Sequence, residues 1–403
     1  MQIDFESAKK QICALVVDEM DFEREMTDFE IFEAIDNALM KFEGRESLSL
    51  TEELALRNEA YNSLRKYDVI QEYLDDEEVT EIMINGDKDI FIEKRGVIEK
   101  SAKVFESKEK LEDVIQAMVA GCNRAVNEAS PIQDARLSTG ERVNIVLPPI
   151  AINGPIVTIR RFPNNPITME RLVEIGSISK EAAEFLERLV KAKYNIFISG
   201  GTGTGKTTFL NALSQYIPKE ERIITIEDSA ELQLLNAENL VKLETRNTTS
   251  EECKSINIRD LIKAALRMRP DRVVVGEVRG AEAVDMLQAM NTGHDGSLST
   301  GHGNSAKDMI SRLETMVLSG MDIPIYAIRG QIASAIDIFV HLGRLRNKKR
   351  VMLQICEVAG LEDGEVKLRT LYEWDKDELK NINELKNSKK LNDWEGFNGL
   401  SKV

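Results

Sequence analysis

The stretch from Gly200 to Thr207 has the residue types and spacing most suited to chemistry in this chain. It matches the pattern G-x-x-x-x-G-K-[ST] of a phosphate-binding loop, or P-loop. In such a loop backbone N–H groups surround the phosphates, Lys206 contacts the β- and γ-phosphates, and the Thr207 hydroxyl binds Mg²⁺. The residues predicted to contact nucleotide are Gly200, Gly201, Thr202, Gly203, Thr204, Gly205, Lys206, Thr207 and Thr208.

The segments on either side of the loop support this interpretation. Residues 195–199 form an apolar run that predicts a buried strand, and residues 208–213 predict a helix. The N-terminus of a helix favours phosphate because its free N–H groups and its dipole both attract negative charge. A chance match in a glycine-containing turn is the alternative, and the strand–loop–helix order disfavours it.

Two acidic residues follow short apolar strands further along the chain. Glu227 comes after the predicted strand 222–226, and Glu277 follows the predicted strand 272–275. Strand ends of a parallel sheet face the ligand crevice. We therefore expect Glu227 to polarise the attacking water, with Glu231 in support, and Glu277 to hold Mg²⁺ through water. The alternative for each acid is a solvated turn with no catalytic part.

Two of the three histidines, His294 and His302, share one glycine-rich polar loop. They are eight residues apart and have no cysteine partner, which does not match a zinc pair. We expect them to sense the γ-phosphate or to couple it to a conformational change, with a structural role as the alternative.

Four of the arginines that precede the P-loop, all of them in the predicted α+β domain, are candidates for arginine fingers, which supply positive charge to a nucleotide across a domain or subunit boundary. They are Arg136, Arg142, Arg160 and Arg161. We favour Arg142 and Arg161. A solvated or ion-paired surface arginine is the alternative for each.

The apolar pattern divides the chain into four parts. Residues 1–66 predict two or three helices, and residues 67–162 predict a mixed α+β domain that contains a hairpin with an Asn-Gly turn. Residues 163–176 are the predicted linker. Residues 177–403 predict an α/β domain with a largely parallel sheet, a central P-loop strand and a polar C-terminal tail that is a surface helix or frayed.

Composition limits the classes of function. The net charge of −16 over 403 residues disfavours non-specific binding to nucleic acid or to an anionic membrane. The sequence has neither an apolar run long enough for a transmembrane helix nor a signal pattern at its start. The four cysteines, Cys13, Cys122, Cys253 and Cys356, are far apart and predict reduced, buried thiols. We expect a cytoplasmic protein whose membrane role, if any, depends on partners.

Four motifs in a fixed order resemble the traffic ATPases of the secretion superfamily, which power type II secretion, type IV pili and type IV secretion. They are the P-loop, an Asp box at 225–231, a Walker B strand at 273–277 that ends in Gly-Glu, and a His box at 292–302. The segments 79–86, 134–137, 140–144, 158–162 and 266–280 resemble in particular the Tad/Flp pilus ATPases (CpaF-like). The resemblance extends over about residues 67–360.

The resemblance implies a RecA-like P-loop NTPase domain that uses ATP and Mg²⁺ in a homohexameric ring. Such a ring works at the cytoplasmic base of an inner-membrane machine, with inner-membrane platform proteins as partners. The net charge of −16 leads us to expect no nucleic acid partner. A type IV secretion ATPase that exports DNA or effector proteins is one alternative. A nucleotide-binding scaffold with negligible turnover is another, and a nucleic-acid motor fits the negative charge poorly.

Overall fold

The computed structural model describes residues 4–20, 24, 26–122, 125–161, 166–246 and 255–400. The chain forms two compact units that meet in sequence at Asn164 and Asn165. Pro163, Asn164 and Asn165 of the predicted linker lie outside the described residues. The later part of that linker forms a short helix whose residues Met169 and Leu172 are buried in the second unit.

The first unit joins a helical segment to an antiparallel sheet. Its helices are α1 (Phe5–Glu19), α2 (Asp28–Lys41), α3 (Leu50–Arg65), α4 (Gln71–Asp75) and α5 (Lys108–Ala120). Its strands are β1 (Val79–Asn85), β2 (Ile90–Lys94), β3 (Val97–Lys100), β4 (Ile132–Arg136), β5 (Arg142–Val146) and β6 (Ile156–Arg160). The strand order is β3-β2-β1-β6-β5-β4.

Local sequence explains these elements. Thr27 and Ser49 begin α2 and α3 with complete capping boxes, which satisfy free N–H groups in the first turn. The predicted Asn-Gly turn joins β1 to β2, and Gly86 there has φ +81°, which a side chain would strain. The helices α1–α3 have their own apolar core, separate from the core between the sheet and α5.

The second unit is an α/β domain. Its helices are α6 (Met169–Glu174), α7 (Lys180–Lys191), α8 (Lys206–Ser214), α9 (Ile258–Ala265), α10 (Ala283–Asn291), α11 (Ala306–Gly320), α12 (Ile325–Ala335) and α13 (Lys389–Leu400). Its strands are β7 (Ile196–Gly200), β8 (Arg222–Glu227), β9 (Asn239–Glu244), β10 (Arg272–Val278), β11 (Leu298–His302), β12 (Ile338–Arg344), β13 (Arg350–Glu362), β14 (Glu365–Asp375) and β15 (Glu378–Asn381).

The nine strands follow the order β15-β14-β13-β12-β7-β11-β10-β8-β9. The six strands from β12 to β9 are parallel, and β13, β14 and β15 extend the sheet in antiparallel fashion. Two apolar cores cover the two faces of the sheet. The predicted central position of the P-loop strand β7 is confirmed, and the fold is the RecA-like P-loop architecture that the resemblance implied.

The C-terminal tail is more ordered than the polar sequence suggested. The buried carboxylate of Glu357 accepts hydrogen bonds from the backbone N–H groups of Lys386 and Asn387. Lys390 Nζ donates to Asp337 at 2.8 Å and to Asp295 at 2.9 Å. The segment that precedes α13, and α13 itself, are therefore attached to the sheet by charge-assisted hydrogen bonds.

Cys13, Cys122 and Cys356 are free thiols, of which Cys356 is buried and the other two are half-buried, and Cys253 lies outside the described residues. Within the ranges that the structure describes, no helix is long and apolar enough to cross a membrane.

A buried ion pair holds the start of β10, the strand that carries Glu277. The Arg272 side chain is fully buried, and its guanidinium contacts the carboxylate of Glu221 and the carbonyl oxygen of Gly296, the latter at 3.2 Å. A Cβ atom on Gly296 would lie 2.4 Å from Arg272 Nη1, so only glycine fits beside the guanidinium. Arg272 therefore connects the start of β10 to the segment before β8, which carries Glu221, and to the loop before β11, which carries Gly296.

We predict that Glu221→Gln lowers the free energy of unfolding of the second unit by about 3 kcal/mol, because the Arg272 charge loses its buried partner. Both tryptophans, Trp374 and Trp394, belong to this unit, so tryptophan fluorescence during urea unfolding measures its stability. The matched control is Glu220→Gln at an exposed neighbouring position, which should change stability by less than about 0.5 kcal/mol. Equal stability of both variants would contradict the prediction.

Candidate functional site

The parallel register of the sheet brings the motif residues to one edge. His302 at the end of β11 is opposite Gly200 at the end of β7. On the other side of β11, strand β10 carries Glu277, and Val275 of β10 is paired with Ile226 of β8. Gly276 therefore lies beside Glu227, so the P-loop, His box, Walker B and Asp box all meet at the carboxyl ends of adjacent strands.

The P-loop has the backbone shape of a phosphate cradle. Gly203 and Gly205 have φ angles of +70° and +91°, in the left-handed region that favours glycine. A Cβ atom on Gly200 would lie 2.6 Å from Thr204 Oγ1 and 2.7 Å from the carbonyl oxygen of Leu342. Helix α8 begins at Lys206, so the N–H groups of its first turn are available to an anion. These residues fit the phosphates of a nucleotide.

The Lys206 side chain folds against the P-loop itself. Its ammonium donates hydrogen bonds to the carbonyl oxygens of Gly201 at 3.1 Å and Gly200 at 3.3 Å. Its third contact is His302 Nδ1 at 3.3 Å. Burial lowers the pKa of Lys206 below its ordinary value, although the carboxylate of Glu277 works in the opposite direction. A bound phosphate would restore a strong negative partner to this ammonium.

His302 connects Lys206 to Glu277. Its Nε2 lies 2.7 Å from Glu277 Oε1, while its Nδ1 faces the ammonium. Burial lowers the pKa of His302, with the Glu277 carboxylate acting in the opposite direction. A neutral imidazole that accepts from Lys206 at Nδ1 and carries its proton on Nε2 suits both neighbours, a tautomer assigned from these contacts. The Nε2–H is not aligned for a hydrogen bond to Glu277 Oε1, which has no hydrogen-bond partner among the described residues.

Arg279 completes the environment of Glu277. Its Nε and Nη2 donate to Glu277 Oε2 at 2.8 and 2.6 Å, and its Nη1 lies 3.7 Å from Asp228 of the Asp box. A continuous chain of polar contacts thus runs from Lys206 through His302 and Glu277 to Arg279. Sequence reasoning missed Arg279. Its position could have found it, because Arg279 directly follows β10, two residues after Glu277, where an extended chain directs both side chains to the same side.

Glu227 occupies the space that the Walker B strand leaves open. A Cβ atom on Gly276 would lie 2.8 Å from Glu227 Cγ, so the glycine in the Gly-Glu ending makes room for this side chain. The carboxylate accepts hydrogen bonds from the N–H groups of Glu231 at 2.9 Å and Leu232 at 3.0 Å. Burial raises the pKa of Glu227 to about 7 despite these two bonds. A carboxylate with that pKa is suited to accept a proton near neutral pH.

The third histidine, His341, is also beside the P-loop strand. It is buried in β12, and its Nδ1 lies 2.9 Å from Ser199 Oγ in β7. Burial lowers its pKa. Sequence reasoning did not select His341, because a single histidine in an apolar strand carries no motif. Its position makes it a packing residue that links two strands of the sheet.

The structure separates His294 from the other site residues. His294 lies before the amino end of β11, whereas the P-loop meets the carboxyl end of that strand. Its Nδ1 is 3.2 Å from the carbonyl oxygen of Ala289, and the loop carbonyl of His294 accepts from Ser297 Oγ at 2.7 Å. Two histidines eight residues apart fall at opposite ends of one strand, so the predicted γ-phosphate role suits His302 alone.

The two favoured arginines differ in their surroundings. Arg161 is mostly buried in the first unit, and its Nη1 donates to the carbonyl oxygen of Val79 at 3.0 Å and also contacts that of Asp76. These bonds join the ends of β6 and β1 and favour a structural role over an arginine finger. Arg142 has 36% of its side chain exposed, 3.7 Å from Asp134. Of the two, Arg142 has the more accessible charge.

An apolar pocket adjoins the P-loop within the second unit. It has a volume of about 100 Å³ and is open to solvent. Thr204, Gly205 and Thr208 line it on the loop side, opposite Ile178 and Met352. It is smaller than a typical small-ligand pocket, but its apolar walls next to the phosphate cradle offer a surface against which the base of a nucleotide could pack.

Mg²⁺ fits the donor set of this edge only together with a nucleotide. Thr207, the second residue of α8, is half-buried, and Glu277 supplies a carboxylate. Among the described residues, no three His, Cys, Asp or Glu side chains lie close enough to hold a metal ion by themselves. Mg²⁺ in phosphate-transfer sites commonly binds one or two protein oxygens plus substrate phosphates and water. The Thr207 hydroxyl and Glu277 fit that role.

Comparison with known proteins identifies the family. The model of the type II/IV secretion system protein family matches residues 64–377, well over half of the chain. A putative conjugal transfer protein of Mycobacterium tuberculosis is 31% identical over 334 residues, which cover 81% of this chain and 93% of that protein. The probable conjugal transfer protein TrbB of Sinorhizobium fredii is 34% identical over 310 residues, covering 76% and 89%.

Solved structures support the fold. The X-ray structure of the Legionella pneumophila ATPase DotB aligns with a TM-score of 0.53 at 21% identity, over 72% of this chain and 79% of that one. At that identity the likeness concerns the fold alone. The family match, the long alignments with these relatives and the order of the motifs all indicate the same family. This chain therefore belongs to the type II/IV secretion system protein family and is an ATP-hydrolysing enzyme of the secretion superfamily.

Proposed function

We propose that this protein is a Mg²⁺-dependent homohexameric motor at the cytoplasmic base of an inner-membrane machine, where ATP hydrolysis drives assembly of a Tad/Flp-type pilus or type IV secretion. The observation that supports it most is the chain of contacts from Lys206 through His302 to Glu277. It joins the phosphate cradle to the residue expected to hold the metal through a histidine that contacts both Lys206 and Glu277.

The roles of the residues follow from their contacts. Lys206 leaves the carbonyl oxygens of its own loop to bind phosphate, which releases His302 Nδ1. The Nδ1 atom of His302 can then form a new hydrogen bond, and the imidazole transmits this change of partner to Glu277 through Nε2. Bound Mg²⁺ supplies positive charge to the phosphates, and Thr207 and Glu277 would hold it. Glu227 accepts the proton of the attacking water at its buried carboxylate.

Two kinds of membrane machine are candidates for the partner of this motor. The motif segments at 79–86 and 266–280 support the Tad/Flp pilus. The similarity to conjugal transfer proteins supports type IV secretion at least as well. Capture of this protein by the purified membrane platform of its own pilus system would favour the pilus. Capture by the membrane complex of a type IV secretion system would favour export of DNA or effector proteins instead.

The oligomer is tested by measuring phosphate release against protein concentration while light scattering reports the mass. Specific activity should rise as a species near six subunits forms. Turnover by a stable monomer at its full rate would contradict the hexamer, and a hexamer without any turnover would favour the nucleotide-binding scaffold.

Glu277→Gln should keep ATP affinity and lose roughly 10²–10³-fold in kcat, because a neutral amide serves the metal poorly at the moment of bond cleavage. Fluorescent-nucleotide binding and phosphate release measure the two quantities separately. Glu238→Gln, an exposed change of the same kind, is the control and should retain wild-type turnover. Wild-type kcat in Glu277→Gln would remove Glu277 from the mechanism.

The pH profile tests Glu227. Its pKa near 7 leaves the carboxyl protonated below that pH and able to accept a proton above it. We expect kcat/KM to rise with pH through about 7 and to be about tenfold lower at pH 6 than on the alkaline plateau. Glu227→Gln should lose turnover at every pH, whereas Glu238→Gln should keep the wild-type profile. A flat profile between pH 6 and 8 would exclude Glu227 as the base.

Arg142 is proposed to act on a nucleotide bound by another subunit. Arg142→Ala should lower kcat roughly 10³-fold with nucleotide affinity intact, as loss of an arginine finger does. Arg95→Ala, which removes an exposed arginine of the same unit, is the control. Mixing equal amounts of Arg142→Ala and Lys206→Ala subunits should restore roughly a quarter of wild-type activity, since neighbours in a ring combine intact halves. No recovery on mixing would show that Arg142 does not act between subunits.

A further inference from the structure

The first unit contains a polar cavity that the proposed ATPase does not use. It has a volume of about 560 Å³ and lies where the N-terminal helices meet the segment that leads into the sheet. Helices α1 and α3 line one side, and residues 68–75 line the other. Cavities of this size are typical of small-ligand sites. Its walls are charged, unlike those of the apolar pocket beside the P-loop.

Asp68 is the most unusual residue in this cavity. Its side chain is only 3% exposed and its φ is +51°, a left-handed conformation that is uncommon outside glycine. Within the part of the chain that the structure describes, its carboxylate makes an ion pair with Lys9 at 3.9 Å and receives no hydrogen bond. A buried carboxylate is normally satisfied by several donors. This one faces a space large enough to hold them.

The charges around the cavity do not cancel. Five carboxylates and two ammonium groups line it: Glu6, Glu59, Asp68, Glu72, Asp75, Lys9 and Lys103. Both lysines are already engaged with carboxylates. Lys9 Nζ lies 3.0 Å from Glu6, and Lys103 Nζ lies 3.3 Å from Glu59 and also contacts Glu72. An excess of negative charge therefore remains for a positively charged ligand.

Part of the wall is aromatic. The rings of Phe32 and Tyr61 are stacked, with centroids 4.2 Å apart, and both line the cavity. The side-chain amides of Asn58 and Asn62 add acceptors nearby. The Arg57 guanidinium already lies over Phe32, 4.3 Å from the ring centroid, so these rings are suited mainly to pack against the methylene groups of a ligand. Spread-out carboxylates with an aromatic wall suit an elongated cation that carries more than one donor group.

We propose that this cavity binds a small organic cation with amine or guanidinium groups at the ends of an alkyl chain, and that Asp68 is its principal anionic contact. The ligand supplies the hydrogen-bond donors that Asp68 lacks. Its second cationic group faces the carboxylates near Lys103. Because the cavity joins α1 and α3 to the segment before β1, the ligand would also stabilise the attachment of the N-terminal helices.

The test is calorimetric titration of the full-length protein, without nucleotide, with agmatine and with spermidine at low ionic strength. Agmatine carries a guanidinium and an ammonium group separated by four methylenes. We expect one site per chain, at least tenfold weaker in Asp68→Asn and weaker in 0.5 M NaCl. Asparagine tolerates the left-handed backbone at residue 68, so this variant should fold. Asp113→Asn, an exposed carboxylate on α5, is the control and should bind as wild type.

A second variant keeps the test informative if Asp68→Asn fails to fold. Glu59→Gln alters a half-buried wall residue on α3 and should also weaken binding. Far-UV circular dichroism must match wild type for either variant to count. Absence of binding by both amines, or equal binding by Asp68→Asn, would overturn the proposal. Tighter Asp68-dependent binding of MgCl₂, or of a capped peptide with one arginine, would replace the small organic cation with a metal ion or a protein side chain.

Discussion

The parallel register of β7, β11, β10 and β8 is the constraint on which the site depends. Adjacent strands lie about 4.8 Å apart, so Glu277 on β10 is about 10 Å from the P-loop strand and does not reach Lys206 directly. His302, on the strand between them, spans that interval with one nitrogen toward each residue. A register shift of one residue would turn His302 to the opposite face of the sheet and break the chain.

Close packing at this edge explains which positions lack a side chain. Gly276 allows Glu227 of the next strand to occupy the place where an ordinary Walker B strand has aspartate. The cost is a carboxylate buried among few donors. The rise of its pKa from 4.5 to about 7 means that the site disfavours the charged form by about 3 kcal/mol relative to a solvated carboxylate. Catalytic bases often have such raised pKa values, since a base works best when its pKa is near the working pH.

The net charge does not indicate which ligands the individual sites bind, because the charged groups at each site determine its local electrostatic potential. The chain carries −16, yet its P-loop edge combines a helix N-terminus, Lys206 and Arg279 to receive an anion. The cavity in the first unit does the opposite, with paired lysines and an excess of carboxylates. Screening in water confines surface charge to about 10 Å, so local groups decide what each site binds.

The sequence by itself determined the chemistry that is local in the chain: the P-loop, the strand that enters it, the helix that leaves it and the α/β class of the second unit. Spacing along the chain suffices there, because the interacting groups are neighbours. Only the tertiary structure decided which distant residues meet. It separated His294 from His302 and brought Arg279 into contact with Glu277. It also buried Arg161 among backbone carbonyls and placed Asp68 in a cavity formed by segments about 60 residues apart. Such contacts depend on strand order and packing, and no local pattern encodes them.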